Sequence, residues 1–234
     1  MRVGDRSLLP NLNQFLATLS IPLYRHDPYL REFDSTVTKV GDAFIILDRT
    51  CFYPQGGGQV GDTGEISGVN VSNTINVDGE IRHIVDTSSF RSGQKVHAAI
   101  DWERRLRIMR LHSASHIVSY IMREVFGAKC KPASSGMIDD AKDRTDYLFD
   151  EPLDRKKLGE VEVRVNMIIE EARPIRHMSE GTGDKVIWTV DGFTPMPCGG
   201  THVRNTSEIG RIALKRGSKP GRGKERIEIT LISN

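Results

Sequence analysis

Between residues 33 and 100 apolar positions come in short runs, at 35–40, 43–47, 80–86 and 96–100, separated by Gly-, Asp- and Asn-containing turns. Short runs punctuated by turn formers are strand spacing, since successive side chains of a strand point to opposite faces. They predict a small β-barrel or sandwich. At Asp101 the period changes. Leu106, Met109, Leu111, Ile117, Val118, Ile121, Met122 and Val125 form a broad stripe that stops before Gly127, which predicts a helix over 103–126. A second helix is predicted over 154–172, closed by Pro174, whose ring and missing N–H disfavour continuation. Strand character returns at 186–190, 210–215 and 226–232 among glycine-rich turns. The C-terminal part therefore reads as α+β.

A chain of 234 residues can bury a sizeable core, and the change of period near 94–102 divides it into two domains. A hydrophobic share of 38% with 27% charged residues is that of a globular protein, with no pattern for disorder or a membrane span. The apolar stretch inside 1–20 is broken by Pro10, Asn11 and Asn13 and carries no secretory signature. Cys51, Cys130 and Cys198 are odd in number and far apart, which argues against a disulfide framework and for a reducing, cytoplasmic setting. Net charge is only +2, so any basic footprint is local. The candidate is the run containing Lys215, Arg216, Lys219, Arg222 and Lys224, whose plain alternative is a solvated loop.

Two constellations carry chemistry. His112-Ser113-Ala114-Ser115-His116 lies inside the predicted helix, where a separation of four puts both imidazoles on one face, one turn apart, able to grip one metal ion. The alternative is two histidines hydrogen-bonded in a helix interface. Position 113 is serine, so the glutamate base of an HExxH metalloprotease is missing. Cys198-Gly199-Gly200-Thr201-His202 follows Pro195-Met196-Pro197 and so belongs to a turn, where two glycines permit a tight path that brings thiolate and imidazole together. Alone, it reads equally as a buried structural cysteine beside a surface histidine. Jointly, one thiolate and three imidazoles suit tetrahedral zinc and not magnesium or calcium.

HxxxH on a helix followed about eighty residues later by CGGTH resembles the editing domain of alanyl-tRNA synthetase and its free-standing counterparts, the alanyl-tRNA editing proteins of the AlaX family. The segment from Phe52 through Pro54, Gln55, Gly56, Gly57, Gly58, Gln59 and Val60 to Asp62 resembles the family's glycine-rich stretch, and Trp102-Glu103-Arg104-Arg105 its approach to the metal site. The likeness spans about 23–231. Residues 1–20 lie outside it as an N-terminal extension, and it implies a small β-barrel domain bearing the glycine-rich segment (21–95) and an α/β editing domain shared with threonyl-tRNA synthetase (96–234). His112, His116, Cys198 and His202 become the expected Zn2+ ligands. Asp143-Arg144-Thr145-Asp146-Tyr147-Leu148-Phe149 resembles the strand behind the site, and no catalytic role is carried onto it.

The implied activity is hydrolysis of the aminoacyl ester at the acceptor end of mischarged tRNA(Ala), chiefly serine-charged, with the glycine ester as a second candidate. Such a site must accept serine and spare alanine, and a polar group hydrogen-bonding the extra hydroxyl can do this. Ser115 is the candidate, with Gln55, Gly56, Gly57, Gly58, Gln59, Gly199, Gly200 and Thr201 as pocket wall and Lys215, Arg216, Lys219, Arg222 and Lys224 as tRNA contacts. A small residue easing helix packing is the alternative for Ser115. Four protein ligands describe a closed zinc site and three an open one, so whether the ion activates water or positions substrate stays open, and no acidic residue declares itself as general base. Competing readings are editing of serine on tRNA(Thr), a noncatalytic zinc module that binds RNA, and, remotely, a Cys198–His202 hydrolase without metal.

Overall fold

The computed structural model describes residues 19–134, 136–180 and 185–232. Nearly all of the N-terminal extension expected from the sequence, residues 1–18, lies outside the described residues. Internal packing divides the chain into two units: one comprises the residues up to Pro54 together with Gly61–Asp101, the other Gln55–Val60 with Trp102–Asn234. The glycine-rich segment, which the sequence reading put with the first domain, is thus divided: Gln55–Val60 groups with the second unit, and its ends on either side stay with the first.

The first unit holds β1 (Ile21–Pro22), β2 (Glu32–Val40), β3 (Phe44–Leu47), β4 (Arg49–Thr50), β5 (Gly64–Ile66), β6 (Val69–Val71), β7 (Asn73–Val77), β8 (Glu80–Ile84) and β9 (Lys95–Ile100). Seven of these form a sheet in the order β6-β5-β9-β2-β3-β8-β7. β2 serves two neighbours: residues 32–36 pair with β9, and Val37, Lys39 and Val40 pair with β3 across a register shift between Val37 and Lys39. Such an irregularity bends a strand and re-aims its faces. Inward positions carry the core, with Val37, Ile45, Ile46, Leu47, Phe52, Ile66 and Val71 all buried. The expected strand-rich unit is present. A closed barrel is not found, since β6 and β7 are not paired with each other among the described residues.

The second unit begins with α1 (Trp102–Phe126) and continues with β10 (Met137–Ile138), β11 (Asp143–Leu148), α2 (Arg155–Glu170), β12 (Ile175–Glu180), β13 (Lys185–Val190), β14 (Met196–Pro197), β15 (Ile212–Arg216) and β16 (Lys224–Leu231). An antiparallel sheet runs β10-β11-β16-β15, and a second runs β12-β13-β14. α1 buries Ile108, Met109, Leu111, Ala114, Ile117, Val118 and Met122, which explains why one turn of the chain can be spent on two histidines. Each large apolar side chain so buried contributes roughly 1.5–3 kcal/mol. α2 starts where the Asp154 carboxylate accepts the Lys156 N–H, and buries Leu158, Val161, Val165 and Ile169 at helical spacing. Among the described residues, no helix is long and apolar enough to cross a membrane.

Candidate metal centre

α1 sets His112 and His116 one turn apart with ring centroids separated by 5.0 Å. The partner turn is fixed from its other end. β14 pairs with β13, and the Cys198 N–H donates to Val186 O (2.9 Å), so the cysteine leaves the strand pair in a set direction. Gly200 then passes so close to α1 that an added Cβ would stand 2.2 Å from His112 Cε1. Only glycine fits that position, and the turn therefore delivers His202 against the helix.

Four side-chain atoms converge. His116 Nε2 lies 3.0 Å from His202 Nε2, Cys198 Sγ lies 3.4 Å from His112 Nε2 and 3.6 Å from His202 Nε2, and all four ligand atoms fall within 4.8 Å of one another. Tetrahedral zinc, with nitrogen at about 2.0 Å and sulfur at about 2.3 Å, holds its nitrogens about 3.3 Å apart and nitrogen from sulfur about 3.5 Å. The donor set can hold a metal ion and is consistent with zinc.

Electrostatics favour the same use. Burial, with the neighbouring imidazoles adding to it, holds His112 and His202 well below the usual histidine range, and burial together with His177 brings His116 to about 4. All three rings are therefore neutral at neutral pH, the form that ligates. Burial pushes the Cys198 thiol up, opposed by the Gly200 N–H. Neutral imidazoles cannot supply the positive charge that would bring that thiol back down, whereas a bound cation does.

Sequence reasoning placed Gln59 in the pocket wall; in the structure it is buried and joins the two motifs. Its Oε1 accepts from His112 Nδ1 (2.9 Å) and from the Thr201 N–H (3.0 Å), while its Nε2 donates to Thr201 Oγ1 (2.9 Å). With Nδ1–H committed to Gln59, the His112 Nε2 lone pair faces Cys198. Gln59 is delivered by a two-residue turn in which Gly57 and Gly58 have φ of 58° and 89° and Gly56 and Gln59 exchange backbone hydrogen bonds. Gly58 packs on Gly136 O, 2.4 Å from where a Cβ would be. Ser113 supplies a second tie, donating to Met109 O (2.8 Å) and accepting from the Val203 N–H (3.1 Å).

Two residues at the centre were not foreseen, and a third, Asp143, comes from the strand expected behind the site without a role expected for it. His177 Nε2 lies 2.9 Å from His202 Nδ1, which leaves His202 Nε2 for the cluster. Trp188, fully buried, packs against His116 with centroids 4.9 Å apart and the rings tilted by 43°. Asp143, also fully buried, has the Thr145 hydroxyl 3.2 Å from each of its carboxylate oxygens. An isolated histidine, an aromatic in a strand and an acid in a polar strand carry no spacing that would announce them.

The remaining candidates separate. Gln55, Gly56, Gly57 and Gly199 are exposed, Gly58 and Gly200 partly so, and Thr201 is buried on Gln59. Lys215, Lys219, Arg222 and Lys224 are exposed. Arg216 is not a free cation: its guanidinium grips the buried Glu225 carboxylate at 2.8 and 3.0 Å, and Lys219 stands 3.7 Å from the same group. Cys51 and Cys130 are buried, outside the cluster and in no disulfide, and burial pushes Cys130 up to about 11.

Residues 26–104 match the family of class II (A) tRNA synthetases, and residues 185–228 match the second additional domain of threonyl and alanyl tRNA synthetases. The cysteine-bearing turn thus sits in a domain that those two synthetases share. Over 212 residues the chain is 36% identical to alanyl-tRNA editing protein AlaX-M of Pyrococcus horikoshii, covering 89% of this chain and 96% of that protein. The AlaX-M protein of Methanosarcina barkeri is 32% identical over 242 residues, 90% of this chain and 98% of the relative. Alanine–tRNA ligase of Methanococcus vannielii is 36% identical over 217 residues, 84% of this chain but only 24% of the ligase. The chain belongs to the alanyl-tRNA editing protein family.

Proposed function

We propose that this chain is a trans-editing hydrolase that deacylates mischarged tRNA(Ala), chiefly serine-charged and secondly glycine-charged, at a zinc site made by His112, His116, Cys198 and His202. The observation that carries the reading is the convergence of these four ligand atoms within 4.8 Å in a member of the alanyl-tRNA editing family. Hydrolysis joins a water oxygen to the ester carbonyl carbon and breaks that carbon's bond to the ribose oxygen. The two water protons end on the ribose hydroxyl and the released carboxyl group. Zinc held by the four ligands would supply the positive charge that polarises the carbonyl.

The chain's own residues do the rest. Buried, neutral imidazoles present Nε2 lone pairs, and Gln59 holds His112 to that tautomer while fixing Thr201 beside it. In this reading Gln55, Gly56, Gly57, Gly58, Gly199 and Gly200 would form the substrate wall, five of the six being glycines without side-chain bulk, and the support for it is that Gly200 passes against His112. Exposed Lys215, Lys219, Arg222 and Lys224 suit tRNA phosphates, whereas Arg216 is held by Glu225.

A noncatalytic zinc module that binds RNA is the second reading, favoured by the count of four protein ligands, which completes a tetrahedral shell. Editing of serine on tRNA(Thr) draws on the domain common to both synthetases, but the relatives covered end to end are named for alanyl-tRNA. Serine release from serine-charged tRNA(Ala) is measured beside alanine-charged tRNA(Ala) and serine-charged tRNA(Thr). Selective release from the first supports the proposal. Release from tRNA(Thr) alone transfers the activity to that substrate, and a mobility shift of tRNA without release leaves the binding module.

A further inference from the structure

α1 continues past its two histidines. One turn beyond His116 it carries Tyr120, and three residues further Arg123; both line a groove completed on one side by Cys130, Lys131 and Pro132 of the loop that follows the helix. That loop is fastened to β11, since the Leu148 N–H donates to Lys131 O (2.9 Å) and the Ala133 N–H to Asp146 O (2.7 Å). Thr194, Pro195 and Met196 also line it, and the chain runs from them directly into Cys198. The groove measures about 540 Å³, within the range of small-molecule sites. Its chemistry is of two kinds. Tyr120 is half-buried and packs edge-on against Phe193 with centroids 4.6 Å apart, while Trp188 packs against both Phe193 (6.3 Å) and His116 (4.9 Å). This aromatic wall is therefore packed back to the metal cluster. Arg123 and Lys131 are exposed, and among the described residues neither is in an ion pair. The acid in the lining, Glu124, is already taken by Arg164 of α2. An aromatic ring with apolar neighbours and two uncompensated cations is the combination that suits a stacked base and its phosphate.

We propose that this groove takes a nucleoside 5′-phosphate unit of the RNA end that carries the ester, with the base on Tyr120 and the phosphate on Arg123 and Lys131. The inference rests on the aminoacyl-ester reading above. An ester placed at the cluster has its nucleotide covalently attached, so that nucleotide must lie against whatever borders His116. Along α1 the axis advances about 6 Å from His116 to Tyr120 and about 10 Å to Arg123, distances that one nucleotide bridges. A ring face and two point charges read no particular base. The groove is therefore a handle on the RNA end, and it separates a nucleotide-borne ester from a free amino-acid ester.

Adenosine and adenosine 5′-monophosphate test it, each titrated calorimetrically into the zinc-loaded protein at low and high salt. The monophosphate is expected to bind at least about 10-fold more tightly than adenosine, with the difference shrinking as salt rises. Replacing both cations, Arg123→Ala with Lys131→Ala, is expected to bring the two probes within about 3-fold of each other at unchanged zinc content. Tyr120→Ala should weaken both probes about 10-fold and Tyr120→Phe neither, because stacking uses the ring and not the hydroxyl. Uncharged tRNA(Ala) is expected to displace the monophosphate. If Tyr120→Ala does not fold, the double cation variant still decides, since both of its side chains are exposed. Absence of measurable monophosphate binding, or equal affinity for the two probes, overturns the proposal. So does monophosphate binding that ignores the double variant, which would put the phosphate on the metal, or that tRNA cannot displace, which would make the groove a site for free nucleotide. Failure of the editing reading looks different: no serine is released from any charged tRNA, while the groove still prefers the monophosphate.

Discussion

Replacing Asp143 by Asn isolates the cost of keeping a charge behind the candidate site. Burial raises the Asp143 carboxyl to about 6 from an ordinary 3.8. A raised carboxyl favours the folded state in its protonated form. The native protein is therefore unpenalised below pH 4, loses stability as pH climbs from 4 to 6, and carries the full penalty above 6. At 1.36 kcal/mol per pH unit of difference, the penalty is about 3 kcal/mol. Asn removes the charge but brings an amide N–H2 that has no assigned acceptor, costing about 1 kcal/mol. The net expectation at pH 8 is a gain of about 2 kcal/mol, or roughly 4–8 °C in Tm at this chain length. At pH 4 the gain disappears and only the cost of the amide remains, so the sign reverses. Thermal unfolding of both proteins at pH 4, 6 and 8, followed by circular dichroism with zinc content held equal, measures this. Equal destabilisation of the variant at pH 4 and pH 8 would refute the reasoning, because the carboxylate would then be a net stabiliser in its charged form.

Other expectations follow from single contacts. Gln59→Ala leaves His112 Nδ1–H and the Thr201 N–H unanswered, and zinc affinity measured by competition with a chromogenic chelator should fall about 10–100-fold, with Gln59→Glu close to wild type. Gly200→Ala puts a methyl 2.2 Å from His112 Cε1, so bound zinc in the purified protein should drop well below one per chain even if the fold by circular dichroism is retained. In the first unit His83 is fully buried, its Nε2 2.8 Å from Thr50 Oγ1, and burial lowers it from 6.5 to about 4. Its neutral form is the native one, so unfolding free energy should fall by about 3 kcal/mol as pH drops from 6.5 to 4, a slope that chemical denaturation of His83→Gln should show flattened.

The contrast between the two halves of the site explains what a sequence can disclose. His112 and His116 are legible because an i, i+4 pair inside a 3.6-period stripe has one geometry, and the CGGTH turn because glycines on either side of a bend have few other uses. Gln59 is different. Its partner Thr201 lies 142 residues away, and nothing local distinguishes a glutamine that locks a ligand from one that lines a pocket. β11 is legible through the resemblance and not through its pattern, for a related reason: its inward residues are Asp143, Thr145 and Tyr147, so the apolar alternation that declares β9 through Val96, Ala98 and Ile100 is missing. The cations of the C-terminal run mislead in the opposite sense. A charge pattern lists Arg216 with its neighbours, but the strand pairing of β15 with β16 turns it onto buried Glu225. In each case the determining contact is non-local, set by the sheet and not by the segment.

The central claim is that the four converging groups form one zinc site that hydrolyses the wrong amino acid from tRNA(Ala). It is tested most directly by measuring the rate of serine release from serine-charged tRNA(Ala) and the bound zinc in the same preparations of wild type and Cys198→Ala. The account predicts one zinc per wild-type chain with fast release, and loss of both together in the variant. Full release by a variant that has lost its zinc, or a zinc-loaded wild type that binds the tRNA and releases no serine, would contradict it.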